Sequence, residues 1–326
     1  MAPNPAQVVA PLAAPGPDDI ALVLGGGGAW MYAEAYELIT ILGQRPDLIP
    51  KIKLIAGNSA GAITAVLLAA GIYEGRGPAV LKEALESVSE DTQIISTSVV
   101  AVQKSPLLHP LDLSRMAWGG LFGHSVVSQN PLWQLLEHYA GGIDTNALQE
   151  KCGVTVQVRG FDSAAGVGRV YSGYLAKMAK KSSAIEGVFQ DHNGISDGGP
   201  VDNCPADLAI QAGFKRILIC YCGPEGPLAD MKPVWVDESE PDEPKLLARQ
   251  VVGNFLGSVT SINENITAER LAAWEKQGGQ LVEAYPAQDA QMGSILDFSK
   301  AAQAPRVLAG IRAGVLALQG IKALGW

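Results

Sequence analysis

The chain has 326 residues, 48% of them apolar and 17% charged, with a formal charge of −9. That is length enough for one large α/β core, and an acid excess without any basic run argues against a nucleic-acid partner. Four cysteines, none in a C-x-x-C pair, make neither a disulfide framework nor a zinc site, so a reducing, cytoplasmic setting is expected.

Residues 1–17, MAPNPAQVVAPLAAPGP, are rich in Pro and Ala and carry no Lys or Arg. They lack the charged start and apolar centre of a signal peptide and are expected to form a disordered tail ahead of a single domain over 18–326. Asp19–Leu24 has the pattern of a buried strand, and Ala29–Leu42 that of a helix. Between them stand Gly25, Gly26, Gly27 and Gly28, which offer bare backbone N–H groups to whatever lies in front. A dinucleotide fingerprint would need a small residue where Trp30 or Met31 stands, and a Walker loop would need a lysine. An oxyanion hole is the reading left.

Ile52–Ala56 is a second buried strand, Gly57-Asn58-Ser59-Ala60-Gly61 a G-x-S-x-G pentapeptide, and Ala62–Ala70 a buried helix closed by Gly71. Strand, sharp turn and helix are the context of a nucleophile elbow, which lifts Ser59 Oγ off the backbone beside a helix N-terminus. The bland alternative is a small-residue turn packed on the sheet. The two turns are complementary parts of acyl transfer.

Gly75–Ser89 reads as a surface helix, and Asp91–Gln129, with Trp118 and Phe122, as part of a helical or loop cap over 91–150. Asn130–Tyr139 is a helix with Asn as N-cap and Pro131 at its start. Val154–Phe161 alternates like a strand, with Gly166–Tyr171 as its hairpin partner. Leu175–Ser183 is a helix bearing Lys177, Lys180 and Lys181, a solvated face or a contact for an anionic head group. Ala206–Gly213 is a helix and Arg216–Cys222 a strand with Cys220 and Cys222 in the core. Asp237–Pro244 is an acidic loop without the spacing of a calcium site, and Leu246–Gln277 one or two helices. Val307–Trp326 is interrupted by Arg312, Gln319 and Lys322 and reads as an amphipathic helix, not a membrane span. Strands alternating with helices predict an α/β fold, a mainly parallel central sheet with helices on both faces.

Over Asp19–Gln319 the chain resembles the patatin-like phospholipases, a family of serine acyl hydrolases with a three-layer α/β fold. The family's Gly-Gly-Gly-x-Lys/Arg-Gly block is matched by Gly26-Gly27-Gly28-Ala29-Trp30-Met31, and its G-x-S-x-G block by Gly57–Gly61. A weaker third block is similar to Ser182-Ser183-Ala184-Ile185-Glu186-Gly187-Val188-Phe189. The fourth, Asp-Gly-Gly/Ala with x-x-Asn-x-Pro, is matched by Asp197-Gly198-Gly199 and Asn203-Cys204-Pro205. Leu296-Asp297-Phe298 and Gly310–Gly314 look like its closing helix.

The resemblance implies a Ser–Asp dyad, with Ser59 as nucleophile and Asp197 as base, and an oxyanion hole from the amides of Gly26, Gly27 and Gly28. Gly25, Trp30, Met31, Gly57, Asn58, Ala60, Gly61, Gly198 and Gly199 would shape the site. It implies a lipid or ester substrate and peripheral membrane contact; neither cofactor nor metal is needed, and the sequence leaves the oligomeric state open. Asp197 needs burial to raise its pKa toward that of a useful base. Trp30, Met31 and Glu186 depart from the family's basic residue, glycine and proline. Two other readings stay open. One is a Ser–His–Asp esterase using His192, with Asp162 as its acid; the other is a patatin-fold binding or regulatory protein with little turnover.

Overall fold

The computed structural model describes residues 12–89, 93–94, 129–162, 165–184, 195–199, 203–224, 267–293 and 297–326. The expected elements at 95–128, the Glu186 turn, His192, Asp237–Pro244 and the first part of Leu246–Gln277 lie outside these residues. Seven strands form one sheet: β1 (Ile20–Leu24), β2 (Ile52–Asn58), β3 (Thr155–Asp162), β4 (Val167–Tyr171), β5 (Ile195–Asp197), β6 (Arg216–Cys220) and β7 (Gln280–Ala284). The order is β4-β3-β2-β1-β6-β7; β3, β2, β1, β6 and β7 run parallel, and β4 pairs antiparallel at the edge of β3. β7 was not legible from its sequence.

The helices are α1 (Met31–Gln44), α2 (Ala60–Glu74), α3 (Pro78–Ser87), α4 (Asn130–Ala140), α5 (Thr145–Cys152), α6 (Leu175–Ser182), α7 (Ala206–Gln211) and α8 (Lys300–Ala323), with a further helical stretch at 267–275. Every residue of β1 is buried because both sheet faces are covered. Ile20, Leu22 and Leu24 face a core shared with α1, α2 and α3, while Ala21 and Val23 face Phe214, Ile217, Ile219 and Trp274. The fold is thus a mainly parallel sheet between two helical layers, as the residue pattern predicts.

Two helices hold the chemistry end of the sheet. α2 is apolar all round and buried from Ala60 to Gly71, which suits a helix packed on every side. Gly71, expected to close it, lies inside it instead. Gly77's carbonyl packs on its bare Cα, and the helix ends one turn later at Gly75, with φ +74°. α8 begins earlier than expected, at Ser299 as N-cap, and crosses α1 through Gly310 and Gly314. A side chain at either position would run into the α1 backbone at Ala33 or Glu37.

Candidate active site

The register of β3 brings two distant residues together. One edge of β3 carries β4; along the other, β2 pairs with Thr155–Arg159 and ends at Asn58, opposite Arg159. There β5 takes over antiparallel, with Asp197 opposite Gly160. The two strands therefore run head-on, and Ser59 and Asp197 meet where they stop. Ser59 Oγ donates to Asp197 Oδ2 at 2.5 Å.

Ser59 has φ +51° and ψ −119°, the only positive φ at a non-glycine among the described residues. A turn this tight is strained for an L-residue and needs bare neighbours. A Cβ on Gly57 would strike the Gly61 carbonyl, and one on Gly61 would strike the carbonyls of Leu24 and Gly25. The Ser59 N–H donates to Ser182 Oγ at 2.9 Å, and Ser182 Oγ donates on to the Arg159 carbonyl at 2.5 Å. Ser182 at the end of α6 thus pins the elbow to β3. Replacing Ser182 by Ala leaves a buried N–H without that partner; an unmade buried hydrogen bond costs about 1–3 kcal/mol. The expected result is a lower melting temperature and a roughly tenfold lower kcat, measured by thermal melts and ester hydrolysis.

Asp197 is buried, and that burial pushes its carboxyl up to about 6. The Ser59 hydroxyl and the Gly199 amide, which donates to Oδ1 at 2.7 Å, pull the other way. Gly198 must be bare because the Asn58 side chain and the Arg159 carbonyl press against it. Asp197's own amide donates to the Ala184 carbonyl at 2.8 Å.

The glycine turn leaves β1 beside this pair. Gly25 N–H donates to the Cys220 carbonyl, extending the sheet by one residue. Gly26 departs from its expected part in an oxyanion hole: its N–H donates to the Asn203 carbonyl at 3.0 Å, while Asn203 Nδ2 donates to the Gly26 carbonyl at 3.2 Å. Asn203 therefore clamps the turn from both sides, and a Cβ on Gly26 would sit 3.1 Å from Ser59 Cβ. The amides of Gly27 and Gly28 make no such bond among the described residues.

Trp30 and Met31 part ways. The Trp30 indole Nε1 donates to the Gly293 carbonyl at 3.0 Å and its ring lies over Gly223, so it anchors the turn. Met31 lines the cavity in front of Ser59, together with Gly28, Ala60, Ile63, Leu132 and Phe298. That cavity has a volume of about 30 Å³. A larger groove of about 400 Å³, between α1, α3 and α8, contains neither Ser59 nor Asp197. Chemistry, not size, marks the smaller one.

Of the four histidines, the described one is His138, on α4 with its ring edge-on to Tyr139 and away from the cavity lining. Asp162 is bound up in the hairpin, paired with Arg169 at 2.7 Å. The described residues hold no cluster of His, Cys, Asp or Glu that could ligate a metal, and no helix among them is long and apolar enough to cross a membrane.

Three supports were missed in the sequence. Ser182 and Asn203 sit in the motif blocks but gave no sign of their bonds. Arg306 of α8 is fully buried and donates to the carbonyls of Met292, Asp297 and Ala29, which braces the turn from below. Beneath the same turn Glu34 and Glu37 are fully buried, and desolvation raises both carboxyls well above the usual range. Thr64, the Gly25 backbone and Cys222 draw Glu34 down in part; the Glu34 charge pushes Glu37 further up.

With Asp197 these make three acids whose folded pKa exceeds the unfolded one. Their protonated forms stabilise the fold fully below the unfolded pKa values, and that stability is lost as pH rises through the folded ones. The melting temperature should therefore fall as pH rises from about 4, with the Asp197 share of the loss complete near pH 6. A melting temperature that rises over that range would contradict the burial of all three.

A family model described as patatin-like phospholipase matches residues 22–210, more than half of the chain. Among curated proteins none matches the sequence. Solved structures similar to it include VipD from Legionella pneumophila (16% identity, 94% of this chain and 67% of that one, TM-score 0.43). Human GIVD cytosolic phospholipase A2 is also similar (9%, 93% and 59%, TM-score 0.45), as is the type III effector protein ExoU (16%, 93% and 54%, TM-score 0.36). The chain thus spans little more than half the length of the latter two and two thirds of the first. The chain belongs to the patatin-like phospholipase family.

Proposed function

We propose that the protein is a lipid acyl hydrolase that cleaves fatty-acyl esters of phospholipids, lysophospholipids or related lipids through an acyl-enzyme on Ser59. The observation that carries this reading is the 2.5 Å hydrogen bond from Ser59 Oγ to Asp197 Oδ2 on a strained elbow. Asp197 takes the hydroxyl proton as Oγ attacks the ester carbonyl carbon. The oxyanion that forms is met by the amides of Gly28 and Ala60, whose residues line the cavity, with Gly27 beside them. Collapse expels the alcohol, which takes the proton from Asp197. Water, deprotonated by Asp197, then releases the fatty acid and Ser59 recovers its proton.

A base near pKa 6 is far better matched to neutral pH than an ordinary aspartate. Because the ionised form is the active one, kcat/KM should rise with pH through about 6 and level off above it. At about 30 Å³ the cavity is too small for an acyl chain, so Met31, Leu132 and Phe298 must part to admit one. That small volume also favours a second reading, a patatin-fold binding protein with little turnover.

A fluorophosphonate probe followed by peptide mapping decides between them. Label on the Ser59 peptide, faster at pH 8 than at pH 5, is the expected result. A folded protein left unlabelled by a small probe would remove the hydrolase reading and leave the binding one.

A further inference from the structure

α6 carries a surface that the chemistry above does not use. Leu175, Ala176, Met178, Ala179 and Ser182 are buried, which leaves Tyr174, Lys177 and Lys181 on the outer stripe at i, i+3 and i+7, with Lys180 alongside. Each ammonium lies over an aromatic ring: Lys177 over Tyr174 at 5.1 Å, Lys180 over Trp133 of α4 at 4.7 Å, and Lys181 over Tyr171 of β4 at 5.4 Å. Strand alternation puts Val167 on the same face of β4 as Tyr171, and Val167 and Tyr174 are each 47% exposed.

Among the described residues the charges here do not cancel. Arg169 is paired with Asp162, and Glu137 faces Lys180. Lys177 and Lys181 make no salt bridge to a described residue, and each repels the other. Partial burial against the rings lowers the pKa of Lys180 and Lys181, a desolvation that a bound anion would offset. All this sits on a chain whose formal charge is −9.

Solvated lysines alone would not require rings beneath them or an exposed valine beside them. A nucleic acid or an acidic protein would use the charges and leave the apolar component idle. A bilayer uses all three. Phosphates meet the ammonium groups, Tyr and Trp suit the depth of the head groups, and Val167 reaches the acyl boundary. The position fits as well. α6 ends in Ser182, which holds the Ser59 amide, and continues into Ser183, which lines the cavity.

We propose that Val167, Tyr174, Lys177, Lys180 and Lys181 form a docking face for an anionic lipid surface, set so that the Ser59 cavity opens close to the bilayer. Its purpose rests on the lipid-hydrolase reading, but its test does not. The test uses the whole chain with Ser59→Ala, which cannot turn over lipid, in sedimentation with vesicles of phosphatidylcholine alone or with 30 mol% phosphatidylglycerol.

Binding should require the anionic lipid and weaken with added salt. Each basic residue near such a surface is worth about fivefold, so K177Q/K180Q/K181Q should lose on the order of 100-fold in partitioning. The triple Arg variant should retain it, and V167D should lose several-fold. Melting curves matching the parent show that each variant is folded. Equal binding to both vesicle types, or a triple Gln variant that binds like the parent, overturns the proposal. So does heparin binding with the same dependence on the lysines while V167D leaves vesicle binding intact, which marks a general polyanion site. Vesicle binding that obeys these rules in a protein that hydrolyses no lipid leaves the docking face standing and removes the hydrolase reading alone.

Discussion

Replacing Ser59 by Ala should lower kcat on any ester substrate by on the order of 10⁴-fold or more and abolish fluorophosphonate labelling, with the fold intact. The reason is local. Ser59 Oγ lines the cavity and donates to Asp197, and among the described residues no other side-chain hydroxyl bonds that carboxylate. A second substitution separates chemistry from strain. Ser59 holds φ +51°, which glycine adopts freely, so Ser59→Gly should be as inactive as the Ala variant yet melt higher than it. Strain of this kind is worth about 1–3 kcal/mol. Equal melting temperatures for the two variants would mean that the elbow relaxes, and that the strained turn is not held by its surroundings.

Asp197→Asn should lower kcat by about 10³-fold, within the range for loss of a general base, and remove the rise of kcat/KM near pH 6. The same change should make the protein more stable at pH 8. Asp197's carboxyl is displaced from 3.8 to about 6 chiefly by burial, so its ionised form weakens the fold. A shift of about two units corresponds to about 3 kcal/mol, present in full only above pH 6 and absent below pH 4. An uncharged Asn escapes that cost. Melting temperatures of the two proteins should therefore converge at pH 4 and separate at pH 8, with Asn higher. If Asn instead lowers stability at pH 8, the carboxylate is solvated, and its role as a poised base fails with it. Activity and stability here oppose one another through one proton.

Much of the fold was legible because it rests on local rules. Ile20–Leu24 and Ile52–Ala56 are runs that only a doubly covered sheet can bury, and the alternation of Val154–Phe161 with Val167–Tyr171 gave the hairpin. Gly278-Gly279 followed by Gln280–Ala284 was too short and mixed to be told from a loop; it becomes strand β7 through pairing with β6. Gly71 has the look of a helix end, as glycine so often is one, whereas here it is small for the sake of Gly77. Glu34 and Glu37 look like the polar side of a surface helix, and lie fully buried because they point at Thr64, Gly25 and the Cys220–Cys222 end of β6.

The sequence by itself determined which groups could do chemistry: a serine between glycines after a strand, an aspartate before two glycines, and a run of bare amides. Spacing and residue type suffice for that, since a tight turn excludes side chains wherever it occurs. Only the tertiary structure decided that Ser59 and Asp197 meet, because 138 residues separate them and the meeting depends on β2 and β5 stopping head-on along β3. It decided too that Gly26 gives its amide to Asn203, since a hydrogen bond across 177 residues has no signature in local sequence.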